Sequence, residues 1–179
     1  MLTGSEIKKR LGKDIIIEPF NEEQLNPNSY NIRLHNELLV YETDFFVDGG
    51  RRVLLDMKKE NPTKKIIIPE SGLELKPNKL YLGRTVEYTE TYNLIPCIDG
   101  RSSIGRLGIN VEISAGFGDI GFKGTWTLEI SCVEPVIIYP FIEIGQLYYQ
   151  VPVGDIDIQY NGRYQGQKDA TASRLFMTE

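Results

Sequence analysis

The chain has 179 residues, of which 41% are hydrophobic and 10% aromatic, enough to bury one substantial core in a single domain spanning 1–179. Twenty Lys and Arg against 25 Asp and Glu give a net charge of −5, which argues against a general nucleic-acid coat and confines any phosphate site to a local pocket. Apolar runs such as 15–17 and 136–139 fall far short of the roughly 20 residues of a membrane span, and the start of the chain, with Glu6 and three basic residues by Arg10, lacks the apolar stretch of a secretory signal; a cytoplasmic protein is expected.

A helix is predicted over 3–11, with Thr3 as a hydroxyl N-cap, Glu6 three residues on, Ile7 and Leu11 four apart, and Gly12 as a stop. Beyond it the pattern turns to strands, predicted over 15–17, 30–34, 37–41, 53–57, 65–68, 80–87, 110–114, 125–132, 136–139 and 146–151. These stretches are short, β-branched or aromatic, and bounded by Gly, Pro, Asn or Asp. About ten short strands in one domain imply a sandwich, jelly roll or barrel. The segment 44–65, with Gly49-Gly50, Arg51-Arg52 and Lys58-Lys59, is the most polar and is expected to hold a surface loop. The tail over 160–179 has no clear period, but Tyr160 and Tyr164 suit a tail ordered by a ligand or a neighbouring subunit rather than one that only solvates.

Cys97 and Cys132 lie in apolar, strand-like stretches and read as buried free thiols. With His35 as the single histidine and no Cys-x-x-Cys pair, a His/Cys zinc site that activates water cannot be built from this sequence. His35 itself reads as a surface turn residue, and Trp126 as a filler of the core or of a subunit interface.

Three features carry chemistry. The run Gly100-Arg101-Ser102-Ser103-Ile104-Gly105-Arg106-Leu107-Gly108 follows a strand; if Ser102 or Ser103 caps a short helix, hydroxyls, backbone N–H groups and arginines converge on an anion. An ordinary polar turn with solvated arginines fits the same composition. The run from Ser114 to Gly124 has four glycines around Asp119, which suits either close backbone approach to a ligand, with Phe122 against a sugar, or a β-hairpin with a glycine-rich turn. Glu129 is the one acid in Trp126-Thr127-Leu128-Glu129-Ile130-Ser131-Cys132 and shares a strand face with Thr127 and Ser131, where it either meets solvent or serves a cleft as general acid and base.

Together these runs resemble the dCTP deaminase family. The first is similar to its Arg-Ser-Ser-x-x-Arg-x-Gly block, the second to its Ala-x-x-x-Asp-x-Gly-aromatic-x-Gly hairpin, and Thr127-Leu128-Glu129 to the Thr-Leu-Glu that dUTPases of the same fold lack. Ile144-Gly145-Gln146-Leu147, the tail from Tyr160 to Gln167, and Pro27-Asn28-Ser29-Tyr30-Asn31-Ile32-Arg33-Leu34 extend the likeness to nearly the whole chain. The resemblance implies a mainly β fold, a distorted jelly roll or β-barrel of the dUTPase-like type, with a short N-terminal helix and another after the Arg-Ser-Ser motif. It further implies homotrimers with shared active sites, dCTP or dUTP as ligands, and Mg²⁺ brought in on the triphosphate, with no zinc.

Carried over residue by residue, Glu129 would be the general base and acid, with Ser102, Arg106 and the Ala115 carbonyl holding the attacking water. Arg101, Ser102, Ser103, Ile104, Gly105 and Arg106 would cradle the triphosphate. Asp119 would bind the 3′-hydroxyl, Phe122 the sugar, and Thr127 and Leu128 would accompany Glu129. Gln146, Tyr160, Arg163 and Gln167 would close over the nucleotide. The implied reaction is zinc-independent hydrolysis of dCTP to dUTP and ammonia, supplying dUTP or dUMP for thymidylate synthesis. A bifunctional enzyme that continues to dUMP and pyrophosphate is the alternative, favoured by the small Ala115-Gly116-Phe117; a dUTPase alone, or a non-catalytic nucleotide-binding regulator, are others. The chain departs from the family pattern at Glu112 (often His or Gln), Gly118 (apolar), Ile120 (Pro), Asn31 (Asp), His35 (Gly) and Arg163 (Lys).

Overall fold

The computed structural model describes residues 1–43, 46–47, 51–52 and 54–177, the two short pieces in backbone only. The predicted helix forms as α1 (Gly4–Arg10). The Thr3 hydroxyl accepts from the Glu6 N–H at 3.3 Å, Glu6 lies in the first turn, and Lys8, Lys9 and Arg10 lie in the last, so the side-chain charges complement the helix dipole. Strands follow in chain order: β1 (Ile15–Glu18), a 3-10 turn (Glu22–Gln24), β2 (Tyr30–Tyr41), β3 (Phe46–Val47), β4 (Arg51–Arg52), β5 (Thr63–Ile67), β6 (Leu73–Leu75), β7 (Tyr81–Thr91) and β8 (Ile95–Gly100). After these come α2 (Ser102–Gly105), β9 (Ile109–Asn110), β10 (Lys123–Cys132), β11 (Val136–Ile138), β12 (Glu143–Gln150) and a final 3-10 turn (Leu175–Met177).

One antiparallel sheet runs in the order β8-β12-β2-β7-β10-β9, with β1 also on β7 and β5 also on β2; β6 pairs β11 and β3 pairs β4. This is the mainly β, nearly closed barrel-like arrangement expected. Alternate residues turn inward, among them Ile32, Leu34, Leu38, Leu128, Ile130, Leu147 and Tyr149, all at or below 1% exposure, and each such Leu or Ile contributes about 1.5–3 kcal/mol by leaving water. No helix among the described residues is long and apolar enough to cross a membrane.

The elements differ from the pattern reading where polar groups intervene. The predicted strands 30–34 and 37–41 are one strand, β2, irregular between Leu34 and Leu38 in its pairing with β7. β7 runs on to Thr91 because its inward face is Thr85, Glu87, Thr89 and Thr91, buried polar residues that hydrophobic periodicity does not register. β8 has no range among the predicted strands, although the strand-like stretch around Cys97 and the strand before Gly100 point to it: it contains Pro96, which weakens a strand pattern. The predicted strand 53–57 does not form over 54–57, where the Asp56 carboxylate accepts from Lys58 N–H and Asn61 bonds back to Asp56, local bonds that replace a ladder; Val53 lies outside the described residues. Within the polar segment 44–65, residues 44, 45, 48–50 and 53 likewise lie outside them.

Candidate active site

The site is organised by β10. Its pairing with β7 shifts register between Thr125 and Thr127, turning the Trp126 N–H onto Thr85 Oγ1 at 3.0 Å and leaving the Thr125 N–H to donate to the Gln167 carbonyl at 2.9 Å. Past this irregularity the two-residue period holds as predicted: Leu128, Ile130 and Cys132 turn into the core, while Thr127, Glu129 and Ser131 are half-buried on the other face.

Glu129 thereby enters a cleft of about 620 Å³, a size ordinary for a nucleotide-scale ligand. Ala115, Asp119, Phe122, Thr127, Tyr160 and Gln167 line the same cleft, so seven of the predicted site residues meet. Phe122 is nearly buried, packed on Trp126 with ring centroids 4.8 Å apart and on Tyr160 at 6.0 Å. Glu129 Oε2 accepts from the Ile113 N–H at 3.2 Å, and the Glu112 carboxylate accepts from the Gly116 N–H at 3.0 Å. Two carboxylates therefore hold the loop that presents Ala115. They also explain why the predicted strand 110–114 shrinks to β9: the loop's N–H groups are spent on side chains instead of a ladder.

The glycines around Asp119 give close approach, but to the protein's own tail. Gly121 has φ +91° and a Cβ there would lie 2.8 Å from Gln159 Cβ; Gly124 has φ +150° and a Cβ there would lie 2.7 Å from the Gln167 carbonyl oxygen. The tail crosses the cleft through Gly166 N–H to the Lys123 carbonyl, Gln167 Nε2 to the Thr125 carbonyl at 2.7 Å, Thr171 N–H to Thr127 Oγ1 at 3.0 Å and Ser173 N–H to the Tyr41 hydroxyl at 3.0 Å. Within its own subunit the tail thus bonds to backbone groups that the irregularity in β10 leaves unpaired. Residues 178–179 lie outside the described residues.

The other predicted residues gather elsewhere. Arg101, Ser102, Ser103, Ile104, Gly105 and Arg106 do not line the cleft, nor do Gln146, Arg163 or Leu128. Leu128 is 1% exposed in the core. Arg163 is exposed on the tail, its carbonyl accepting from the Arg174 guanidinium. Helix α2 does form after the Arg-Ser-Ser motif, but Arg101 stands at its N-cap without a side-chain capping bond, and its carbonyl accepts from the Ile104 and Gly105 N–H groups; the exposed Ser102 and Ser103 are its first residues, not its caps. Arg106 is exposed at the helix end. Gln146 uses both ends of its amide locally, accepting from Ser29 Oγ at 2.9 Å and donating to the Gly100 carbonyl at 3.1 Å.

A model of the dCTP deaminase-like family matches residues 1–151. The chain belongs to that family. It is 58% identical over 176 residues to a Hathewaya histolytica protein and 57% identical over 176 to one from Clostridium acetobutylicum, each named "dCTP deaminase, dUMP-forming"; the matches cover 98% of this chain and 97% and 96% of those proteins. The fold is also that of the 2'-deoxycytidine 5'-triphosphate deaminase from Agrobacterium tumefaciens, with TM-score 0.63 at 20% identity over 84% of this chain; the chain spans about half the length of that protein, 47%.

Against the dCTP deaminase pattern, two departures have local causes. Glu112 turns its carboxylate onto the loop backbone. Gly118 leaves room for Trp126, whose Cη2 lies 2.3 Å from where a Cβ would stand; Trp126 is thus a buried wall of the cleft, its Nε1 donating to Thr89 Oγ1 at 2.9 Å. His35 is not in a turn but within β2, where its Nε2 accepts from the Arg84 guanidinium at 2.7 Å; burial, then the Arg84 charge, push its pKa below 6.5. Cys97 and Cys132 are the expected buried free thiols, with pKa values raised by burial. Among the described residues no group of three or more His, Cys, Asp or Glu is placed to hold a metal ion. Sequence reasoning missed Tyr41 and Ile113 as cleft residues, since neither belongs to a motif.

Proposed function

We propose that this chain hydrolyses dCTP at C4 of cytosine and carries the product on to dUMP and pyrophosphate. The observation that carries the reading is Glu129 in the cleft beside Ala115 and Asp119. The names of the relatives that match nearly end to end support the dUMP-forming alternative over release of dUTP. With Oε2 on the Ile113 N–H, Glu129 keeps Oε1 for water. Glu129 takes a proton as the water oxygen attacks C4, then delivers it to the amino nitrogen, and ammonia leaves; positioned acid–base groups of this kind contribute typically 10²–10⁴-fold. A second water at the α-phosphate releases pyrophosphate, and the small Ala115 leaves room for that path.

Ser102, Arg106 and the Ala115 carbonyl hold the first water, so that no zinc is required; Arg101 to Arg106 hold the triphosphate, whose charge Mg²⁺ carried in with the nucleotide would partly neutralise. Asp119 takes the 3′-hydroxyl and Phe122 the sugar face. Because Arg101–Arg106 stand outside the cleft that holds Glu129, the reading includes a homotrimer in which each subunit lends its arginine loop to a neighbour's cleft.

The test is to incubate the protein with dCTP and Mg²⁺ and assay ammonia, pyrophosphate and nucleotides. dUMP with both by-products is expected, and Glu129→Gln should abolish ammonia release. Mixing Arg106→Ala with Glu129→Gln should restore part of the activity in hybrid trimers. Cleavage of dUTP with untouched dCTP, or near-normal ammonia from the Glu129→Gln variant, would sink the mechanism.

A further inference from the structure

The arginine loop is fastened by a ring of hydrogen bonds that the proposed chemistry does not use. Arg101 Nη1 donates to the Glu143 carbonyl at 2.9 Å and is ion-paired with Glu143 Oε2, also at 2.9 Å. The same Glu143 Oε2 accepts from Asn31 Nδ2 at 2.8 Å, and Asn31 Oδ1 accepts from Asn26 Nδ2 at 2.7 Å. Asn26 Nδ2 also reaches Ser29 Oγ at 3.2 Å, Ser29 Oγ donates to Gln146 Oε1, and Gln146 Nε2 donates to the carbonyl of Gly100, the residue before Arg101. The circuit thus returns to its start. Asn31 and Ser29 are 6% and 4% exposed, so its middle is dry and each missed bond is costly.

We infer that Glu143, held by Asn31, is the positioning residue that aims Arg101 at a phosphate; the inference rests on the proposed role of Arg101 in binding the triphosphate. Arg101 spends Nη1 on Glu143, and among the described residues no other protein acceptor takes its Nε or Nη2, which leaves that edge of the fork for an anion. The arrangement also gives a reason for asparagine at 31, where the family pattern has aspartate. An ionised Glu143 only accepts, and an ionised aspartate at position 31 would only accept too. That exchange would set two carboxylates 2.8 Å apart, whereas the amide of Asn31 accepts from Asn26 and donates to Glu143.

The experiment measures KM and kcat for dCTP, and the Kd of inorganic tripolyphosphate by calorimetry, in the native protein, Glu143→Ala, Asn31→Asp and the double variant Asn31→Asp/Glu143→Gln, with thermal melts to show that each is folded. Losing the aim of one charge-assisted donor should raise KM and the tripolyphosphate Kd on the order of tenfold in both single variants, with kcat changed by less than about twofold. The double variant should recover much of the Asn31→Asp loss, because the introduced glutamine amide can donate to the introduced carboxylate and still accept from Arg101. Should Glu143→Ala not fold, the comparison of Asn31→Asp with the double variant decides. Unchanged Kd in the single variants, no recovery in the double variant, or no tripolyphosphate binding by the native protein would overturn the inference. A native protein that binds tripolyphosphate with this variant pattern but leaves dCTP intact would sustain it while the proposed reaction fails.

Discussion

Replacing Glu87 by alanine tests whether the polar heart of β7 is as consequential as its burial suggests. Glu87 is fully buried and accepts three bonds: from the Arg33 N–H at 2.8 Å, from Arg33 Nε at 2.7 Å and from Gln24 Nε2 at 3.1 Å. At the Arg33 separation, an effective dielectric of 20 gives a Coulomb attraction of about 6 kcal/mol, most of it offset by desolvation, while removing one partner of a buried pair costs about 3–5 kcal/mol. Arg33 is 28% exposed, so water can reach the orphaned guanidinium and the lower end, about 3 kcal/mol, is expected. For a chain of this length that is a fall of about 6–12 °C in Tm. Melts should be run at one protein concentration, since any assembly shifts Tm by mass action. Glu87→Gln, which keeps an acceptor, should lose less, and high salt should leave the alanine loss largely intact because a buried pair is weakly screened. A loss below about 1 kcal/mol for Glu87→Ala would refute the reasoning, placing that carboxylate among exposed pairs.

Gly124→Ala should loosen the tail, since its Cβ meets the Gln167 carbonyl at 2.7 Å and its φ of +150° suits glycine alone; faster hydrogen exchange at the Thr125 amide and earlier protease cleavage after residue 160 would show it, at a cost of about 1–3 kcal/mol. For His35, burial and Arg84 hold the folded pKa below 6.5, opposed by Glu37 and Asp169, so the unfolded chain binds more protons between the two values. Its contribution is present above pH 6.5 and lost as pH falls through the folded pKa; urea midpoints from about pH 8 to about pH 5 should decline, and His35→Gln should flatten that decline. Cys97 and Cys132, buried with raised pKa values, should react with a thiol reagent only on unfolding, which a kinetic assay against a urea series reads directly.

Much of this architecture is legible in the sequence because it rests on local rules. Thr3 and Glu6 mark the helix start, and the alternation from Thr127 to Cys132 puts Glu129 on the outward face, as found. What escapes is written in polar residues whose partners are distant in sequence. Thr85, Glu87 and Thr89 look like surface residues until Trp126, Arg33 and Gln24 are brought to them, and Pro96 blurs the bounds of a strand that pairs with β12. The site is partly legible for a similar reason. Motifs name its residues, but nothing in a motif says which of them a single chain can bring together. Glu129, Asp119 and Tyr160 meet; the arginines do not join them.

That division carries its own logic. The half containing Glu129 is closed by the tail, which a few bonds to the Thr125 backbone and the Thr127 hydroxyl hold on β10 and which can open at modest cost. The half containing Arg101 is locked by a ring of buried and half-buried amides and a carboxylate that no ligand need disturb. On the proposed reading, a group that must admit a base and release ammonia is served by the movable half, and a group that must meet three phosphates in fixed register is served by the rigid one, since charge-assisted bonds return most when their donors are aimed in advance. The two halves therefore make different demands on mutation: changes along the tail should show in turnover and product release, and changes around Glu143 should show in phosphate affinity.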